Sequence, residues 1–253
     1  MQHRTWIRYI YFRVRSELKA EVTQNYLSYL WWILEPCLMI AVFYIVFAKL
    51  FERGGEGFIS FLLLGVTAWM WFQQSVLRAA QSVRKATGLT LQVYVPKYVF
   101  PFSAVLFSVF KHVFVMLVLA GLLFVLESPS KAWFFYFLVF AVQLLFITSL
   151  SSLLAALVPF VPDLTKILEP VMRMGMFLSG IFYHVSLIPE QYVPYFRYNP
   201  IAGLIMEYRK VILNSQVPDF VYLGKVAFYS SILLAFALWL LKKFDRTYPR
   251  LSN

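Results

Sequence analysis

Six long apolar blocks divide the chain, at residues 29–50, 58–77, 102–126, 132–160, 171–187 and 221–241. A helix crossing a bilayer needs about 20 mostly apolar residues at about 1.5 Å each. The fifth block is the shortest and carries Arg173 near its start. Ahead of the first block the pattern changes. At 100° per residue, Arg4, Arg8, Arg15 and Lys19 share one narrow helical face, and Trp6, Ile7, Ile10, Val14 and Leu18 lie opposite. A basic face backed by an aromatic, apolar one suits a helix lying in a membrane surface. Residues 1–22 read as such a helix, either a plain anchor or a cuff that also touches a partner. After the fifth block, Pro189, Pro194, Pro200 and Pro218 set off two pieces, 190–196 and 201–213, too short to cross. Irregular backbone at membrane depth survives only where protein or a water-filled cavity covers it. The pattern therefore predicts an all-α membrane protein forming one domain over residues 1–253. It has six transmembrane helices, an N-terminal amphipathic interface helix, and two short external (re-entrant) helices within 188–218 before the last span.

An even number of crossings puts both chain ends on one side. That side gathers the N-terminal arginines with Arg78, Arg84, Lys85, Lys97, Lys166, Lys242, Lys243, Arg246 and Arg250. The other holds Lys49, Arg53, Lys131, Arg197, Arg209 and Lys210. The positive-inside rule places both termini in the cytoplasm. The net charge of +11 is spread over the flanks of apolar blocks. It speaks for helix orientation and anionic lipid, and against nucleic acid. The basic stretch 78–101 is too polar to cross and either orients its neighbours or meets a cytoplasmic motor.

Of all residues 61% are hydrophobic and only 14% charged, where a soluble domain is nearer half and a quarter. Aromatic residues reach 19%; most belong to interfacial belts and packing, although such an excess also suits a pathway for sugars, whose ring faces stack on aromatic ones. Lys111, beside His112, falls inside the third block and must face the bundle, a pore or the interface. Pro36 suits the first turn of a helix, which makes residues 29–35, with Trp31 and Trp32, a separate piece at interface depth.

The lone Cys37 excludes an intrachain disulfide or thiolate cluster, and His3, His112 and His184 lack metal-ligand spacing. Arginines interrupt the N-terminal apolar residues, so no cleavable signal peptide is expected. The sequence contains neither the Gly-x-x-x-x-Gly-Lys-Ser/Thr loop that cradles nucleotide phosphates nor a Gly-x-Ser-x-Gly elbow. The chain reads as a non-enzyme that draws energy from a partner or an ion gradient.

Three runs resemble those of ABC-2 type polysaccharide export permeases. The first is Leu27-Ser-Tyr-Leu-Trp-Trp-Ile-Leu-Glu-Pro36, with Ser28 where glycine is usual. The second is Phe160-Val-Pro-Asp-Leu-Thr-Lys-Ile-Leu-Glu-Pro170, with Pro162-Asp163 where Arg-Asp is common. The third is Ile188-Pro-Glu-Gln-Tyr-Val-Pro-Tyr-Phe-Arg-Tyr-Asn-Pro-Ile201, continuing to Glu207-Tyr-Arg209. The resemblance covers nearly the whole chain and is to capsule and O-antigen export permeases in particular.

It implies a homodimer in the bacterial inner membrane, enclosing a channel for a lipid-linked polysaccharide. Two separate ATPase subunits would bind ATP and Mg²⁺, leaving this chain without a cofactor. It further implies channel aromatics at Trp31, Trp32, Trp69, Trp71, Phe72 and Tyr183. Arg4, Arg8 and Arg15 would meet a lipid phosphate headgroup, Arg84 and Lys85 the ATPase, and Tyr195, Asn199 and Arg209 would form an external gate. A small-molecule or drug efflux permease of the same superfamily is the alternative.

Overall fold

The computed structural model describes residues 2–24, 28–52, 55, 57–86 and 94–248. Their regular elements are all helices, with no strand among the described residues. α1 is Gln2–Gln24, and α2 is Ser28–Phe43, prolonged by one π-helical stretch, Tyr44–Leu50. α3 is Phe58–Ala80, and α4 is the single turn Ser82–Lys85. α5 is Val99–Leu126, and α6 is Tyr136–Leu157, entered through the 3₁₀ turn Lys131–Phe135. α7 is Leu164–Phe177, α8 Val193–Tyr198, α9 Pro200–Ile212 and α10 Phe220–Lys243. Arg53 and residues 87–93 of the basic stretch lie outside the described residues.

α3 is the hub. It is buried nearly all round, from Phe58 to Ala80, and α2, α5, α6, α7 and α9 all pack on it. A helix apolar on every side belongs at the centre of a membrane bundle. α10 packs along α6. The outer surfaces of α5 and α10 stay apolar, with Leu117, Leu122 and Val125 on one and Phe228, Ile232 and Phe236 on the other exposed. That is the pattern of helices facing lipid. α1 lies beside the first half of α5, where Arg13 covers the Phe100 ring and Glu21 reaches Lys111. Trp6, Ile10, Val14 and Leu18 of its predicted apolar face pack inward, whereas Ile7 is exposed.

Among the described residues five helices are long and apolar enough to cross a membrane: Leu30–Leu50, Phe58–Ala80, Val99–Leu126, Lys131–Leu157 and Phe220–Lys243. The fifth predicted block differs. Its helix, α7, begins earlier, at Leu164, and stops at Phe177. Fourteen residues rise only about 21 Å, short of a hydrocarbon core of about 30 Å. Gly180, at φ 65°, ends the helical path. The chain continues without helix along α3. Gly175 abuts Trp69, Ile181 abuts Gly65, and the His184 ring stacks on Phe61 at 4.1 Å. Each step lies further toward the α3 N-terminus. A second difference lies in α2, which runs unbroken through Pro36. Residues 29–35 are thus the first turns of the span, with Pro36 inside the helix.

Candidate functional site

At the end of the bundle where α3 closes and α5 begins, α1, α3, α4 and α5 surround a cavity of about 460 Å³. Arg13, Arg78 and Lys85 line it, with Glu17 as the one carboxylate. Glu17 accepts from Arg13 Nε at 3.0 Å and from Arg78 Nη2 at 3.1 Å, and Arg78 sits 3.6 Å above the Phe107 ring. Three cations around one anion leave the cavity basic. Arg8 and Arg15 are exposed on α1, Arg4 falls on the same helix with its side chain outside the described set, and Arg84 is exposed on α4. The headgroup arginines expected from sequence, Arg8 and Arg15, face outward, and Arg13, which lines the cavity, is not among them. Its four-residue spacing to Glu17 was the available signal.

The basic stretch re-enters view at Tyr94, whose hydroxyl donates to Asp245 at 2.8 Å, while the Lys97 N–H donates to the same carboxylate at 2.9 Å. This ties the α5 entrance to the C-terminal turn. The bond to Asp245 pushes the Tyr94 hydroxyl above its ordinary pKa, and burial lowers that of the Lys97 ammonium.

The aromatic positions separate into two kinds. Trp32, Trp69, Trp71 and Phe72 are buried within the protomer. Trp32 donates to Glu21, Trp69 donates to Gln73, Trp71 stacks with both His112 and Phe140, and Phe72 lies on Phe146. Within the protomer all four rings are covered by neighbouring side chains. Trp31 is 52% exposed, and Tyr183, whose hydroxyl donates to the Phe177 carbonyl, is partly open.

At the other end, α8 and α9 form a re-entrant hairpin. Asn199 at its tip caps α9 by accepting from the Ile201 N–H and donates to Ser179 at 3.1 Å. α9 then returns buried between α3 and α6 to Ile212, whose carbonyl accepts from Trp133 Nε1. Arg209 is buried, with Nη1 donating to the Gly180 carbonyl at 2.7 Å and Nη2 to Ile181 at 2.9 Å and Phe61 at 3.1 Å. Arg197 bridges Asp219 at 3.2 Å and the buried Glu207 at 3.8 Å. Tyr195 is exposed. Sequence reasoning found Arg209 and Asn199 but missed Glu207, Asp219 and Arg197 as one network, because the charges stand up to 22 residues apart. Among the described residues no three His, Cys, Asp or Glu side chains gather as a metal site would require.

An all-helical bundle with a lipid-facing apolar surface, a helical hairpin whose second helix is buried and a basic cavity at the opposite end defines a multi-pass membrane protein of transporter type. The chain belongs to the ABC-2 type transporter family, which matches residues 13–213. Proteins of this family are permeases and not enzymes themselves. The chain is similar to the O-antigen export system permease protein RfbA of Klebsiella pneumoniae, 24% identical over 90% of this chain and 88% of that protein. It is similar to RfbA of Myxococcus xanthus, 27% identical over 87% and 86%. The polysialic acid transport protein KpsM of Escherichia coli is 24% identical over 88% of each chain.

Proposed function

We propose that the chain is the membrane-spanning subunit of an ATP-driven exporter that moves a lipid-linked polysaccharide out of the bacterial cytoplasm. The observation that carries this reading is similarity over nearly the whole length to permeases of O-antigen and polysialic acid export. The cavity formed by Arg13, Arg78 and Lys85 supports it, since forked guanidinium groups suit phosphate. A phosphate that links lipid to glycan would dock there, with Arg4, Arg8 and Arg15 gathering it from the membrane surface. Arg84 and Lys85 on the short α4 meet a separate ATPase subunit, which holds ATP and Mg²⁺.

Both termini then lie in the cytoplasm of a multi-pass inner-membrane protein. α7, together with residues 178–184, makes the sixth crossing. α7 also leaves Ile167, Val171, Met174 and Phe177 exposed along one side, a surface suited to a second copy in a homodimer. Trp31 and Tyr183 have open faces for a passing sugar chain. The α8–α9 hairpin, with Tyr195 outermost, closes the exit.

Deleting the encoding gene should strand finished glycan in the cytoplasm, and restoring the wild-type chain should return it to the surface. Normal surface glycan in the deletion strain would refute the reading. The purified complex with its ATPase should hydrolyse ATP faster with the lipid-linked glycan. Stimulation by hydrophobic drugs alone would make it a drug exporter.

A further inference from the structure

A second cavity, of about 480 Å³, opens between α10 and the hairpin and has no part in the export path proposed above. Its main wall is one face of α10. Val221, Lys225, Tyr229 and Leu233 line it at four-residue spacing, and Phe146 of α6 also lines it. Arg197 and Asp219 lie at the end nearer the α10 N-terminus. Apolar surface makes up most of the lining.

Lys225 is the feature that needs an explanation. It stands five residues after Phe220, roughly 8 Å down a span of 24 residues. It is exposed on that span, and no carboxylate among the described residues pairs with it. The two nearest acids are already engaged. Asp219 binds Arg197 and accepts from the Tyr222 N–H at 3.0 Å, and Glu207 binds Arg197 and accepts from the Asp219 N–H at 2.8 Å. A lone ammonium within an apolar segment is costly unless an anion meets it.

We infer that this cavity binds an anionic phospholipid from the leaflet on the hairpin side. The phosphodiester pairs with Lys225, and one acyl chain lies along Val226 and Leu233 toward Phe146. The exposed hydroxyl of Tyr229, one turn below Lys225, is placed to donate to the ester region. Charge complementarity selects the occupant. A neutral glycan would have no use for the ammonium, and it would not fill an apolar wall that runs to the middle of α10. Arg197 also lies over the Tyr222 ring, and Tyr222 donates to the Pro200 carbonyl, so the bound lipid would touch the residues that fasten the hairpin.

The test uses the full-length chain in phosphatidylcholine vesicles doped with phosphatidylglycerol bearing a photoreactive acyl chain. Peptide mapping should place the label on Phe146, Val226, Tyr229 or Leu233. Lys225→Gln should cut labelling there about fivefold, the factor equivalent to about 1 kcal/mol for one basic residue at an anionic headgroup. Lys225→Arg should retain it. Val221→Trp, which fills the mouth from the outer row, should lower it without touching the charge. A phosphatidylcholine probe of the same chain length should label several-fold less. Equal labelling of wild type and Lys225→Gln would overturn the inference, and so would equal labelling by both probes. Displacement of the label by a soluble oligosaccharide, with Lys225→Gln unaffected, would overturn it in favour of a glycan site.

Discussion

The guanidinium of Arg209 lies 3.3 Å from the centroid of the Phe61 ring, and its Nη2 donates to the carbonyl of that same residue at 3.1 Å. The same side chain reaches the carbonyls of Gly180 and Ile181, both beyond the end of α7. Non-helical backbone leaves carbonyls without partners, and inside a membrane bundle no lipid can supply donors. One arginine thus fastens the irregular half of α7's path to α3. The fifth block stays beside the hub without being a full helix.

Arg209→Ala removes the donors of three buried carbonyls at about 1–3 kcal/mol each. A loss of about 3 kcal/mol or more is expected, read as a lower unfolding temperature in detergent. Arg209→Lys should fall between, because an ammonium lacks the planar fork. An unchanged melting curve for Arg209→Ala would show that the contacts carry no weight.

Gly180 has φ 65°, and a Cβ there would lie 2.6 Å from Phe196 Cζ. Gly180→Ala should cost about 1–2 kcal/mol for the left-handed backbone alone, plus the clash. Adding Phe196→Ala should remove only the clash, so the two substitutions should couple in a double-mutant cycle. Strict additivity would deny the contact.

Trp71 is buried against the His112 and Phe140 rings and Trp31 is half exposed. Trp71→Ala should lower stability by roughly 3–5 kcal/mol, whereas Trp31→Ala should change it little. Thermal unfolding of the two variants side by side decides this. Equal stability would show that the Trp71 ring carries no packing weight.

The coarse fold was legible because the bilayer imposes a length and a polarity on each span. Four of the six predicted blocks, 29–50, 58–77, 102–126 and 221–241, lie within or closely follow the long helices, and the block at 132–160 overruns its helix by a few residues. The fifth was misplaced because hydrophobicity reads depth and not helicity. Residues 178–184 are apolar enough to sit in a membrane, but Ser179 and Gly180 end the helix. Arg209 and Asn199 were found through their motif, yet motif alone did not show them fastening backbone. The channel aromatics came from the resemblance, and sequence alone does not say which way a ring faces; Trp69 and Trp71 are buried in the protomer. The basic cavity escaped notice because Arg13, Arg78 and Lys85 come from three helices that only packing unites.

Arg78 tests the basic cavity. Its bridge to Glu17 is partly exposed, with side-chain accessibilities of 40% and 28%. Such pairs contribute about 0–1 kcal/mol. Arg78→Ala should therefore leave the unfolding temperature nearly intact while lowering glycan export several-fold in a complemented deletion strain. Loss of fold would make Arg78 structural, and normal export in a stable variant would remove it from the headgroup site.

Asp219 gives the hairpin a dependence on acid. The Tyr222 N–H holds its carboxyl below the ordinary value of 3.8 against the opposing effect of burial, and Arg197 adds to the lowering. A carboxylate with a depressed folded pKa contributes stability in full above its unfolded value and loses it as pH falls through the folded value. Asp219→Asn keeps an N-cap acceptor but removes the charge that faces Arg197. The wild type should be more stable than this variant by a constant margin from about pH 7 to about pH 5. The margin should shrink below about pH 4, as the wild-type carboxyl takes up its proton. Thermal unfolding across that range measures it. A margin that widened toward acid would mean that the carboxylate is not stabilised by its partners in the folded chain.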